Sequence, residues 1–310
     1  MAHFEIAEIS QALHAVRREW REAQNRSQEP GGREFPSRDA LARIVEQLKE
    51  ALFPMRLGPH DLRQDSEDFF VAHRLDTALH ALLGQVALEL RYVRRQSAQA
   101  EGDVQADALG VTRAFAQSLP SIRRLLDSDV LAAYQGDPAA RSVDEVLLCY
   151  PGVLAMIYHR LAHRLYQLEL PLLARIVAEL AHGQTGIDLH PGAQIGAGFF
   201  IDHGTGVVIG ETAVIGQRVR LYQAVTLGAK SFPTDAQGHP QKGLPRHPVV
   251  EDDVVIYAGA TILGRVTLGR GAVIGGNVWV THDVPPGGHV TQASTQGAGA
   301  AKAWPSGADA

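Results

Sequence analysis

The stretch GFFIDHGTGVVIGETAVIG, residues 198 to 216, sets an Asp-His pair, Asp202 and His203, among glycines and aliphatics. An imidazole with an ordinary pKa of about 6.5 accepts a proton near neutral pH. A carboxylate beside it fixes its tautomer and stabilises the imidazolium, which is how a general base works on a hydroxyl. Two carboxylates are close enough in the chain to be that partner, Asp188 in GIDLHPGAQIG and Asp202 itself, and spacing does not choose between them. Arg246 and His247 follow in LPRHP, where a guanidinium offers a planar fork suited to a carboxylate. Counting in sixes from His203 reaches Ile209, Ile215, Leu221 and Leu227, so the ring is expected in an apolar, inward-facing column where it needs a hydrogen-bond partner. His239, His282 and His289 read as solvated loop residues.

The elements that must position these groups change near residue 185. Beyond it a period of six takes over: Ile195, Ile201, Val207, Ala213, Val219 and Val225 form one column, and Ile209, Ile215, Leu221 and Leu227 a second. The pattern resumes with Val250, Ile256, Ile262, Leu268, Ile274 and Val280, partnered by Val254, Ala260, Val266, Ala272 and Val278. Aliphatics repeating every six residues, with glycine between them, mark a parallel β-helix of stacked coils. The segment GAKSFPTDAQGHPQKGLPRHPV, 228–249, cannot continue the coils and is expected to project from them. Such β-helices can hold zinc as trimers through two histidines five residues apart plus a third. The histidines at 190, 203, 239, 247, 282 and 289 never differ by five, so no metal is expected.

Upstream, apolar residues fall at three- and four-residue intervals in ALARIVEQLKEAL (40–52) and LDTALHALLGQVALELRYVRRQ (75–96), predicting helices. A capping box, Ser142 with Glu145, opens SVDEVLLCYPGVLAMIYHRLAHRLYQL, and Pro151 is expected to divide that stretch into two helices. A helix starting on Pro171 is expected to stop at Gly183. The first thirty or so residues, and QNRSQEPGGREFPS, read as polar and mobile at their ends. The predicted fold is α+β: an α-helical N-terminal domain over 1–184, a left-handed parallel β-helix over 185–288 with the protruding loop, and a flexible tail over 289–310.

The 310 residues are 45% hydrophobic with a net charge of −5, which argues against nucleic acid as a partner. No apolar run is long enough to span a bilayer and the N-terminus lacks a signal-peptide pattern, so the cytoplasm is the expected location. Cys149 is the single cysteine, which rules out an intramolecular disulfide framework and a cysteine-based zinc site, and in VLLCYPGVLAM it reads as a buried core thiol.

The ordered set GIDLHPGAQIGAGFFIDHGTGVVIGETAVIG, QAVTLGA, RHP and AGATILGRVTLGRGAVIGGNVWV resembles the serine O-acetyltransferases, as do DPAA and YPG…HRLAHRLY before it, over about residues 137 to 288. The resemblance implies transfer of acetyl from acetyl-CoA to the hydroxyl of L-serine in cysteine biosynthesis. It implies His203 as general base supported by Asp188, and Asp137, Asp202, Arg246 and His247 as serine-binding residues. It implies that Gly228, Ala229, Ala258 and Gly276 line the groove for the pantetheine arm. A zwitterion needs anions for its ammonium and a cation for its carboxylate, and this set has both. The family's site lies between subunits of a trimer, so a homotrimer or a dimer of trimers is expected. The excursion before RHP is longer than in the best-known enterobacterial members, which bears on how serine or CoA is covered. The chain ends in alanine where members that dock O-acetylserine sulfhydrylase end in isoleucine, so neither that docking nor cysteine inhibition of the usual strength is expected. Competing readings are a related acetyltransferase acting on another hydroxyl, such as a sugar, and a non-catalytic trimeric binding protein.

Overall fold

The computed structural model describes residues 4–24, 35–97, 102–231, 237–239, 241 and 243–293. Most of QNRSQEPGGREFPS and the tail from residue 294 therefore lie outside the described residues. Two units are present, Met1–Phe35 and Pro36–Ala310. The first holds α1 (Ile6–Ala23), a helix that the sequence pattern did not announce. Its Ile6, Ile9, Leu13, Val16 and Trp20 recur every three or four residues on one exposed stripe. Charged residues between them mask that period in a reading by composition.

The second unit opens with α2 (Arg38–Leu52), capped by Ser37, whose hydroxyl accepts from the Ala40 amide at 3.3 Å. Short α3 (Pro54–Leu57) and a 3-10 turn (Gln64–Ser66) lead to α4 (Glu67–Ser97), which begins eight residues before the predicted helix, and none of those eight residues is buried. Next, α5 (Val104–Gly136) runs straight through Pro120. Phe115, Leu119, Ile122 and Leu126 keep one buried face across the proline, so the helical period overrides the local breaker. The predicted pair α6 (Val143–Cys149) and α7 (Pro151–Gln167) divides at Pro151, and Ser142 Oγ accepts from Glu145 N at 3.0 Å. Then α8 (Pro171–Thr185) passes Gly183 and stops at Gly186, which takes the left-handed conformation the termination needs (φ 68°). Cys149 is exposed, against expectation: α6 is seven residues long and buries Val146 alone, leaving its last residue outside the core.

Nearly every side chain from Val153 to Ala162 on α7 is buried, so this helix is the axis of the helical packing. Two buried ionic groups fix its surroundings. Glu89 of α4, fully buried, accepts from the Leu172 and Leu173 amides at 2.7 and 2.8 Å and so caps α8, whose first N–H groups have no partner within the helix. Arg160 of α7 donates to both oxygens of Asp129 on α5, at 3.0 and 3.2 Å, and to the carbonyls of Ile195 and Gly196. Asp129 in turn accepts from the Phe199 amide at 2.9 Å. The pair therefore ties two helices to the first coil of the β-structure.

That structure is a left-handed parallel β-helix. Its first coil is β1 (Asp188–Leu189), β2 (Gln194–Ile195) and β3 (Phe200–Ile201); the second is β4 (Val208–Ile209), β5 (Val214–Ile215) and β6 (Arg220–Leu221). The chain continues with β7 (Thr226–Gly228), β8 (Val249–Val250), β9 (Val255–Ile256), β10 (Thr261–Leu263), β11 (Thr267–Leu268), β12 (Val273–Ile274), β13 (Trp279–Val280) and β14 (His289–Val290). Three faces result: face I from β1-β4-β7-β10-β13, face II from β2-β5-β8-β11, and face III from β3-β6-β9-β12-β14. In every two-residue strand the second residue is buried and points inward.

Register exposes one irregularity. Leu227 pairs with Ile209, eighteen residues earlier, as Val280 does with Ile262. Ile209, however, pairs with Leu189, twenty residues earlier. Two extra residues therefore lie in the turn before β4, and the two predicted columns change partners there. Ile195 and Ile201 belong with Ile215 and Leu221, as their pairing shows. A longer insertion separates β7 from β8: Val250 pairs with Ile215, thirty-five residues earlier, so the 228–249 segment lengthens that coil without disturbing the pairing of β8 on β5.

Candidate active site

His203 sits in the lengthened turn, between faces III and I. An ordinary turn at this corner has three residues, Tyr222-Gln223-Ala224, before inward Val225; this one has five, Asp202 to Gly206, before inward Val207. The imidazole is thereby lifted out of the column in which the count of six had placed it, and its side chain is 72% exposed. His203 adopts φ 58°, a left-handed conformation that carries a modest energetic cost for a residue with a Cβ. Its Nε2 lies 3.8 Å from Asp202 Oδ1, so among the described residues its ion-pair partner is Asp202. Asp202 is buried and its other oxygen accepts from Arg220 Nη2 at 3.1 Å.

Asp137 arrives from the C-terminal end of α5. Its Oδ2 accepts from the Tyr150 hydroxyl at 2.5 Å and its Oδ1 from the Ala139 amide at 2.8 Å. The Tyr150 bond holds the carboxyl below its ordinary range, and the charges of Arg220 and His203 add to the effect. The same bond pushes Tyr150 up to about 12. Asp137, Asp202, His203, Tyr150 and Arg220 thus form one group at the III–I corner. A zwitterion's ammonium and a hydroxyl can be served here, by two carboxylates and a base.

Arg246 and His247 belong to a second group, at the corner between faces I and II. Thr212 organises it: its Oγ1 accepts from the Arg246 and His247 amides at 2.9 and 3.1 Å. Its own amide donates to His247 Nδ1 at 3.0 Å, which leaves the ring proton on Nε2. Burial, reinforced by the Arg246 charge, pushes His247 down to about 4, so the ring is neutral at pH 7. It packs on Gly210, where a Cβ would come within 2.0 Å of the imidazole. Arg246 Nη2 donates to Glu211 Oε2 at 2.7 Å, and Tyr166 of α7 donates to Glu211 Oε1 at 3.0 Å. Burial works against the Glu211 charge, but these two bonds outweigh it and hold the carboxyl below its ordinary value.

The single chain therefore brings Asp137, Asp202 and His203 together, and Arg246 and His247 together, with the strands of face I between the two corners. Asp188 starts β1, half-buried on the outer side of face I. It makes no ion pair with His203; its carboxylate groups with Glu179 and His182, whose ligand atoms and its own all lie within 4.8 Å. Ala258 and Gly276 stack on each other at the III–I corner above His203, through the Asn277 amide to the Ala258 carbonyl at 2.9 Å. Gly228 ends β7 and, with Ala229, faces the I–II corner. The residues missed by sequence reasoning are Tyr150, Tyr166, Glu211, Thr212 and Arg220. Glu211 and Thr212 were within reach, since ETA is part of the quoted pattern, and so were the two tyrosines that open and close YPG…HRLAHRLY, although nothing in that pattern aims either of them at a carboxylate.

The bacterial transferase hexapeptide (six repeats) family model matches residues 247–282. A plasmid-encoded serine acetyltransferase of Synechococcus elongatus is 59% identical over 262 residues, 84% of this chain and 82% of its own length. Serine acetyltransferase 1 of Entamoeba histolytica, solved in complex with L-cysteine, superposes with a TM-score of 0.70 at 37% identity, over 80% of this chain and 86% of that one. A serine acetyltransferase of Neisseria gonorrhoeae in complex with serine gives 0.52 at 30% identity, over 82% and 95%.

Proposed function

The chain belongs to the serine acetyltransferase family, and from that premise we propose how it moves an acetyl group from acetyl-CoA to L-serine. Asp137 and Asp202 receive the serine ammonium, and His203 takes the hydroxyl proton as the oxygen attacks the thioester carbonyl. The C–S bond then breaks, and the imidazolium returns the proton to the departing CoA thiolate. No bond to the protein forms at any stage. Arg246, with neutral His247 donating from Nε2, receives the serine carboxylate. Asp188 supports the base from β1, which lies directly under β4, the strand that the His203 turn enters. The pantetheine arm runs past Ala258 and Gly276 on one side and Gly228 and Ala229 on the other.

The observation that carries this reading is the division of the site between two corners of one prism. A threefold head-to-tail ring sets one corner of each prism against the other corner of its neighbour. His203, Ala258 and Gly276 of one subunit then face Arg246, His247, Gly228 and Ala229 of the next. A trimer, alone or paired into a hexamer, is therefore the proposed active form, and the cytoplasm its proposed location. Asp137 and Arg246 weigh against a sugar acceptor, which has no ammonium or carboxylate to offer them. A purely structural trimer has no use for an exposed base beside two acids.

The test is thiol release from acetyl-CoA with a panel of hydroxylated acceptors. Serine is expected to be the acceptor that drives release, and His203→Ala is expected to lose about 100- to 10,000-fold of it while remaining folded. Release driven by sugars alone would overturn the acceptor, and no release with any acceptor would favour the binding-protein reading.

A further inference from the structure

Arg220 has no role in the scheme above, yet it touches most of the His203 corner. It starts β6 on face III, stacked between Phe200 of β3 and Val255 of β9. Its guanidinium carbon lies 5.0 Å from the Phe200 ring centre and 4.7 Å from that of Tyr222, so two aromatic faces hold its plane. From there Nη2 reaches Asp202 Oδ2 at 3.1 Å, while Asp202 Oδ1 is the oxygen nearest His203. The end of α5 closes the other side: Gly136 packs so tightly that a Cβ there would lie 3.0 Å from the Phe200 ring and 3.6 Å from Arg220 Nη1. The next residue is Asp137. Arg220 is thus the contact through which the helical segment carrying one substrate carboxylate meets the turn carrying the other.

We propose that Arg220 is a positioning residue of the acetyl transfer, which orients Asp202 toward His203 and sets the charge of the corner to match one substrate ammonium. This rests on the reading of His203 as the base. Asp137 and Asp202 together carry two negative charges, against a single positive charge on the serine ammonium. Arg220 brings the corner to a net charge of −1. Without it, two uncompensated carboxylates would favour the imidazolium and leave less free base at a given pH. The titratable and charged groups around His203 are Asp137 from α5, Tyr150 from the α6–α7 junction, Asp202 from its own turn, Arg220 and Tyr222 from β6 and the turn after it, and Asp188 from β1, which Arg220 does not touch and which both variants leave in place. Arginine suits the task better than lysine, because a planar fork can stack between rings and still donate in plane.

The experiment compares Arg220→Met and Arg220→Lys with the parent protein, following the His203 ring by NMR through its pH titration without substrate. In Arg220→Met the imidazole is expected to titrate at higher pH, and the acid limb of kcat/KM for serine to move the same way. That ratio should fall about 10- to 100-fold, while KM for acetyl-CoA stays within about twofold. Arg220→Lys should restore the titration by its charge but not the full rate. An unchanged His203 titration in folded Arg220→Met would overturn the proposal and leave Arg220 a packing residue. Failure of the parent protein itself to acetylate serine would instead overturn the underlying reading, and the substrate-free titration separates the two outcomes.

Discussion

His247 shows how far a side chain's surroundings reset its chemistry. Its ring is buried against Gly210 and takes a backbone N–H on Nδ1, so the neutral form is favoured in the folded chain. His159, His163 and His190 are lowered too, each first by burial. In the unfolded chain all four titrate near 6.5, so below that pH these four rings bind more protons unfolded than folded, for His247 down to about 4. Stability is therefore expected to be full above about pH 6.5 and to decline as pH falls through that window. Chemical denaturation as a function of pH measures this, and His247→Gln should flatten the dependence. Asp202 and His203 were legible as a candidate pair because polar groups stand out in a run of aliphatics, and the structure places the two side chains beside each other. The orientation of His203 was not, since two extra residues in a turn reverse inward and outward without changing composition.

Among the elements, the five-residue turn before β4 is the one that presents the proposed base. Deleting His203 and Gly204 leaves Asp202-Thr205-Gly206 before inward Val207, the same length as Tyr222-Gln223-Ala224 before Val225. The coil would then match its eighteen-residue neighbours, so circular dichroism and assembly size should be retained while serine-dependent thiol release disappears. Helices α5 and α7 are held to the first coil by the Asp129–Arg160 pair. Burial pushes Asp129 up to about 6, but Arg160 and the backbone amides pull against it, and the group stays largely ionised at neutral pH. Asp129→Ala would strand a buried guanidinium and is expected to cost about 3–5 kcal/mol, read from denaturant midpoints at fixed protein concentration. Helix spacing in the sequence announced α2, α7 and α8. It understated α4 and passed over α1 and α5, where charged residues or a proline interrupt a buried stripe that tertiary contact completes.

At the scale of the whole molecule, the proposed function draws on two separate corners and so on a proposed neighbour. His203→Ala and Arg246→Ala subunits should each be inactive alone, because each assembly lacks one half of every site. Coexpressed in equal amounts and randomly mixed, they should recover about a quarter of the parent activity, since that fraction of interfaces joins an intact His203 to an intact Arg246. No recovery in verified mixed trimers would show that both residues act within one chain. Glu211 links Arg246 to Tyr166 within the single chain, so the guanidinium is held in place by its own subunit.

The six-residue repeat, the excursion at 228–249 and the identity of the polar site residues are properties of the sequence itself. An aliphatic every sixth residue can be buried in only one way, and each polar exception declares itself against that background. Tertiary structure decided what depends on position across the chain. A two-residue surplus turned His203 outward, α5 carried Asp137 to it, and Arg220 was wedged between two rings beside Asp202. Distances between groups far apart in sequence are set by how coils stack and helices pack, and local residue order does not encode them.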